Sequence, residues 1–379
     1  MAAVPSAGPI PIVIRPNRPP GGTLIRPAVL QGYLLEEALA WLLRNSGYRI
    51  FSSPAEDPDE LTTGRDGSLC VRGRGARHQV DVLGEFTFTP AFSLPVRMFL
   101  ESKFTTGKVG LMTVRNAHGV IHDVNQNFTL TTPSRRRSAD DPIHRGRPRR
   151  RFQYVYALFS ANGFTSDAQR YALAHQISLV DLSGPSFLWL RKTVREAAAE
   201  IAKTQTTAPV HTADIRALLR VLLGTADATD DALTLSPNVR SMVTQFAQSL
   251  TTNSRAELLL GFPAAPFILP LATSDADRFL AFATTEPTHR IRLRRTGHHR
   301  SAEWSASPWD ASEAEAYELT FKLPRHVEDW ISDIEDDERQ RTLRVKQQFL
   351  PEITIYRTRP AGGVDTYQLL YDPTPLRGE

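Results

Sequence analysis

Asp81 and the triplet Glu101-Ser102-Lys103 lie in two short segments, His78-Gln79-Val80-Asp81-Val82 and Phe99-Leu100-Glu101-Ser102-Lys103. Both sit inside runs that read as core strands. Side chains alternate along a strand, so Gln79 shares a face with Asp81, and Glu101 shares one with Lys103. If the two strands are neighbours, Asp81, Glu101 and Lys103 converge. Two carboxylates there would hold a hard cation, Mg²⁺ with Mn²⁺ able to substitute, through oxygen. The ammonium would orient or help deprotonate a water and offset the charge of a phosphate. That is the equipment for metal-assisted in-line attack on a phosphodiester. The spacing alone is common, and the plain alternative is a surface ion pair between Glu101 and Lys103 with Asp81 in a solvated hairpin. Placement argues against it, because unpaired charges inside core strands are costly.

Elements on either side must position these groups. Leu30–Gly47 carries Leu35, Leu39, Leu42 and Leu43 at helical spacing and closes at Gly47. On that helix Glu36 shares a stripe with Leu39, Ala40 and Leu43, bordering the buried face. Glu37 lines up with Trp41 and Arg44, a more solvated direction. Ser52–Asp66 reads as a loop, and strands are expected at Leu69–Arg74, His78–Phe88 and Leu94–Phe104. A long helix over Lys108–Phe128, a buried strand at Phe152–Ser160, a helix at Ser166–His175 and a strand at Ile177–Leu182 follow. The order predicts an α/β fold, antiparallel at the front and βαβ-like at the rear.

Residues 30–184 resemble the catalytic domain of Mrr-type restriction endonucleases, a branch of the PD-(D/E)xK nuclease superfamily. The resemblance rests on the leading helix ending Leu42-Leu43-Arg44-Asn45-Ser46-Gly47-Tyr48, on Asp81, on Glu101-Ser102-Lys103, and on the closing stretches Ser160-Ala161-Asn162-Gly163-Phe164-Thr165-Ser166-Asp167-Ala168 and Ile177-Ser178-Leu179-Val180-Asp181. It departs from the family in having Arg77-His78-Gln79-Val80 before the aspartate and Glu101 where many members carry Gln. The resemblance implies an αβββαβ core with a mixed sheet between helices, and a Mg²⁺-dependent endonuclease acting on DNA in defence against foreign DNA. Asp81 and Glu101 would be the metal ligands, Lys103 would position the water, Glu36 would complete the acidic shell and Gln79 would be an auxiliary contact.

Net charge is +4 over 379 residues, unevenly spread: residues 1–204 sum to +9 and 205–379 to −5. A basic front half suggests a polyanionic partner. Eight arginines crowd positions 135–151. Of these Arg135, Arg136, Arg137, Arg147, Arg149, Arg150 and Arg151, with Arg74 and Arg77, are candidates to track phosphates without reading sequence. A solvated charge run is the equal alternative for the 133–151 segment.

Residues 1–29 read as a proline-rich arm with a possible edge strand at Ile10–Ile14. Residues 30–204 read as the nuclease-like domain with an Arg-rich insertion at 133–151. Residues 205–379 read as an α+β domain that could sense a signal or bind a partner protein or a second copy. In that half, helices are expected at Thr212–Gly224, Ser236–Gln248 and Val327–Phe349. Strands are expected at Pro266–Thr273, Phe279–Thr284, Arg290–Arg295, Tyr317–Leu323, Ile353–Arg357 and Thr366–Tyr371. His298-His299 lacks further ligands for zinc, and Trp304 and Trp309 read as packing residues. No apolar run is long enough for a membrane helix, and a single cysteine, Cys70, excludes an internal disulfide, so a cytoplasmic location is expected. The different-class alternatives are a non-catalytic nucleic-acid-binding module and a structural subunit of a defence complex; RNA is not excluded as the nucleic acid.

Overall fold

The structure, a computed structural model, describes residues 25–89, 92–127, 150–204, 211–227, 235–252, 258–265, 267–297, 302–332, 337–359 and 362–372. Arg135, Arg136, Arg137, Arg147 and Arg149, the edge strand at Ile10–Ile14 and His298-His299 lie outside them.

Helix α1 (Pro27–Asn45) opens with Pro27 in its first turn, where a missing N–H costs nothing. It buries nine residues from Leu30 to Leu43, too many for one stripe, because it is covered on several sides. Strand β1 (Tyr48–Phe51) follows, then β2 (Leu61–Thr63), β3 (Leu69–Arg72), β4 (Arg77–Gln79), β5 (Val82–Phe86) and β6 (Val96–Lys103). Helix α2 (Leu111–Asn125), β7 (Gln153–Ser160), α3 (Ser166–Ala174), β8 (Ser178–Asp181) and α4 (Leu188–Thr204) complete the front half.

The main sheet runs β1-β5-β6-β7-β8. Its β1/β5 and β5/β6 pairs are antiparallel, while β6/β7 and β7/β8 are parallel. Helices α2 and α3 make the crossovers, so the mixed α/β sheet expected from the element order is present. One face, through Met98, Leu100, Ala157 and Phe159, packs against α1 and α4. The other, through Phe99, Tyr156 and Leu158, packs against α2 and α3. Gly84 lets α1 approach closely: a Cβ there would stand 2.7 Å from Leu43 Cδ2.

One expected strand is in fact two. The run His78–Phe88 breaks at Val80-Asp81, with β4 joining β3 and β2 in a small separate sheet and β5 joining the main one. β2 itself falls in the stretch expected as loop, and β1 was not expected.

Helices α5 (Thr212–Leu222) and α6 (Pro237–Thr251) begin what the charge pattern marks as the second half. Their apolar faces, Ile215, Leu219, Val239, Val243 and Phe246, nevertheless belong to the same core as α1 and α4. The boundary at residue 204 is therefore a break in composition and not in packing. Strands β9 (Leu258–Pro263) and β10 (Leu269–Thr273), helix α7 (Ala276–Thr285), β11 (Thr288–Thr296), β12 (Glu303–Pro308), β13 (Leu319–Phe321), α8 (Arg325–Ser332), α9 (Glu338–Gln348), β14 (Glu352–Thr358) and β15 (Val364–Tyr371) follow. The strands close into a seven-stranded barrel, β10-β13-β12-β11-β15-β14-β9, filled by Trp304, Phe321, Phe279, Ile353 and Leu369.

Two expectations fail in the barrel half. Phe279–Thr284 is helical because Asp275 caps the segment by accepting the Arg278 N–H, and Phe279 and Ala283, four apart, share the buried face. Val327–Phe349 is two helices rather than one. Trp304 is core, as its packing reading required. Among the described residues no helix is long and apolar enough to cross a membrane.

Candidate active site

The break between β4 and β5 builds the site. In the β5/β6 register Val82 opposes Leu100, so Ser102 would oppose residue 80, but the chain has already left the sheet there. The Ser102 N–H is taken instead by Asp81 Oδ2 at 2.8 Å. A carboxylate thus replaces a ladder carbonyl at the point where the sheet opens. Asp81 is not held by strand alternation, and Gln79 does not accompany it: Gln79 is exposed on β4 and pairs with Cys70 of the small sheet.

On β6, Glu101 and Lys103 share a face as expected, and Lys103 Nζ lies 2.5 Å from Glu101 Oε1. Burial opposes the Lys103 charge. The Glu101 hydrogen bond and the negative charges of Glu101, Asp81 and Glu36 outweigh it, holding the ammonium above its ordinary range. Asp81 is pushed up by burial, then partly restored by the Ser102 N–H and by Lys103, while Glu101 raises it further. Lys103 therefore stands in the field of three acids, from β6, the β4–β5 break and α1.

Glu36 is the third. Burial raises its carboxyl to about 8, Arg216 opposes the rise, and Asp81 and Glu37 add to it. Asp81 is among the charges that act on Glu36, while Glu37 lines a small pocket together with Asp81. Glu37 is not the solvated one, however: its side chain is 2% exposed against 12% for Glu36, because α5 covers that side of α1.

Two residues escaped the sequence reading. Arg216 on α5 sits 2.8 Å from Glu36 Oε2 and 2.7 Å from Glu37 Oε1, with Arg220 sharing Glu37 at 3.1 Å. Tyr156 on β7 donates its hydroxyl to Glu101 Oε2 while its ring stacks on Phe99 at 5.0 Å. Burial, then Glu101, drives the Tyr156 phenol far above its ordinary range, so it remains a donor. Arg216 lies some 180 residues from Glu36 and carries no local signal. Tyr156 sits inside an apolar run where a tyrosine reads as core.

Among the described arginines, Arg74 and Arg77 are exposed on and beside the β3–β4 turn, and Arg150 and Arg151 are exposed before β7. Arg150 lies 3.9 Å from Glu85 and over the Phe152 ring. A separate charged cluster lies near the start of β6, where buried Arg97 bonds Glu85, Asp57 and Tyr154. Every partner is satisfied internally, so it is structural. Among the described residues no three His, Cys, Asp or Glu side chains group as a metal cluster.

No family model matches this chain, and no curated protein matches it. A solved structure of a protein of unknown function, AF1548, is similar over 57% of this chain and 96% of its own length, at 14% identity and a TM-score of 0.30. A likeness that distant transfers neither fold nor function.

Proposed function

We propose that the protein is a metal-dependent nuclease hydrolysing phosphodiester bonds of DNA, on a restriction-endonuclease-like core. The observation that carries this is the shared field at Lys103: one ammonium paired with Glu101 and interacting with Asp81 and Glu36. The sheet order, antiparallel through β6 and parallel beyond it, is of the kind the Mrr resemblance implies and supports the same reading.

The donor set suits Mg²⁺ or Mn²⁺. Asp81 and Glu101 offer only hard oxygen, and the Asp81 carboxyl is raised first by burial and further by Glu101, both of which a bound cation would offset. These two residues would hold the ion. When bound, a divalent cation supplies Lewis-acid polarisation of the phosphate and a more acidic water. The chain supplies the rest. Lys103, held protonated, orients the water and offsets phosphate charge rather than acting as a base. Tyr156 fixes Glu101. Glu36, its carboxyl raised to about 8 by burial and paired with Arg216 at 2.8 Å, would complete the acidic shell. Arg74, Arg77, Arg150 and Arg151 would contact phosphates, and DNA rather than RNA follows from the resemblance, as does a setting in defence.

Incubating plasmid, linear DNA and RNA with Mg²⁺ or Mn²⁺ tests the proposal. Wild type should cut DNA only with a divalent metal, and Lys103→Ala and Asp81→Ala should each lose at least ~100-fold. Cleavage that survives either change, or that persists in EDTA, sinks it.

One observation favours a second reading, a non-catalytic nucleic-acid-binding module: both Glu101 oxygens already have partners, Lys103 and Tyr156. That reading predicts salt-sensitive binding with no turnover under any metal.

A further inference from the structure

A cavity of about 270 Å³ separates α3 and β8 of the front half from β10 and the start of α8 on the barrel. Its size falls near the lower end of the ~300–1,000 Å³ usual for small-molecule sites. Phe164, Leu179, Phe267 and Ile268 give it apolar walls with two aromatic rings. Lys108, Lys322 and Arg325 bring positive charge, against Asp181. The other acid on its wall, Glu328, is already held by Arg295 at 2.9 Å and by the Trp304 N–H.

Just behind the polar wall, some groups are also unsatisfied. Both ring nitrogens of His326 and the Nε of Arg325 are buried and have no hydrogen-bond partner, although Arg325 keeps a long 3.7 Å ion pair with Asp329. Buried polar atoms without partners are destabilising, and native proteins rarely leave them so. Gln169 of α3 accepts the Arg325 N–H at 2.5 Å, fixing the two walls to one another with the space between them left open.

We infer that this cavity is a binding site for a small aromatic anion of nucleoside-monophosphate size. Its ring would lie against Phe164 and Phe267, its charged group would meet Lys108, Lys322 and the outer guanidinium nitrogens of Arg325, and His326 would turn its ring toward that group. Burial holds His326 below its ordinary range, so the neutral ring offers one donor and one acceptor. Lys108 follows Lys103 by five residues, and Val109 bridges to Phe164 on the cavity wall. A ligand here would brace the connection leaving the candidate active site as well as the junction with the barrel. The inference is independent of nuclease activity.

Calorimetry on the full chain in EDTA, with AMP, GMP, CMP and UMP as probes, tests it. At least one should bind saturably with Kd below about 1 mM, and adenosine and inorganic phosphate should each bind at least tenfold more weakly. Lys108→Ala/Lys322→Ala should weaken binding tenfold or more. His326→Phe should do the same with an unchanged or higher unfolding temperature, since it removes two unsatisfied nitrogens while keeping a ring. Lys103→Ala should leave binding intact. The inference fails if no nucleotide binds, if inorganic phosphate alone binds as well, if both cavity variants bind normally, or if Lys103→Ala abolishes binding.

Discussion

Asp81 reaches the site because the backbone stops pairing, and its carboxylate is fixed by one N–H, that of Ser102. Glu101 is held more firmly, between Lys103 and Tyr156. Tyr156→Phe keeps the stack on Phe99 and deletes only the hydroxyl. Under the proposed function it should lower metal-dependent cleavage about 10-fold and raise the metal concentration for half-maximal rate, as loss of outer-shell partners commonly does. A metal titration of the cleavage rate checks this, and unchanged kinetics would reduce Tyr156 to packing. The sequence marked Asp81, Glu101 and Lys103 because charges are expensive in core-like runs. It misplaced Gln79, since strand alternation assumes an unbroken strand and this one changes sheets between the two residues.

At the scale of elements, α5 acts on α1 through two guanidinia, Arg216 on Glu36 and Glu37 and Arg220 on Glu37. Arg216→Met should leave Glu37 with Arg220 alone and Glu36 without its ion-pair partner, with only the more distant Arg220 and Lys103 as cations. Breaking a buried pair costs about 3–5 kcal/mol. Retention of Arg220 and protonation of Glu36 should hold the loss to ~1–3 kcal/mol, read as a drop in urea midpoint in EDTA. The Glu36 carboxyl should rise further, because Arg216 is what opposes its burial. In the barrel, His289 at the start of β11 is buried against Tyr317, with its Nδ1 2.7 Å from the Glu286 carbonyl. Burial lowers its pKa below the ordinary 6.5. In the window between that lowered value and 6.5 the unfolded chain binds more protons than the folded one. The stabilising contribution is therefore complete above 6.5 and is lost as pH falls through the window. His289→Gln should be less stable at pH 7.5 yet lose less on acidification to pH 5.5. Equal slopes for both proteins would contradict this.

For the whole molecule, the front core extends through α5 and α6 to Leu258, Leu260 and Ile268 of the barrel. A chain ending at residue 204, where composition changes, should strip α1 and α4 of their cover, expose Leu219 and Phe246 partners, and aggregate or unfold. Circular dichroism and gel filtration of that truncation check the point; a monomeric, cooperatively folding product would restore the boundary. The barrel also forms one wall of the cavity beside α3, so the two halves share surfaces as well as a chain.

Local pattern was enough to read the βαβ rear of the sheet, the leading helix and the shared face of Glu101 and Lys103, since burial periodicity and charge cost are properties of neighbouring residues. It could also read most barrel strands individually, but not their closure, which depends on β9 and β12 and on pairings such as Leu258 with Ala272. Only the tertiary structure decided that Glu37 is the more buried helix acid, which residue restrains Glu101, and that Arg216 clamps α1. Those depend on contacts between residues far apart in the chain, and a contact of that kind leaves no spacing to read.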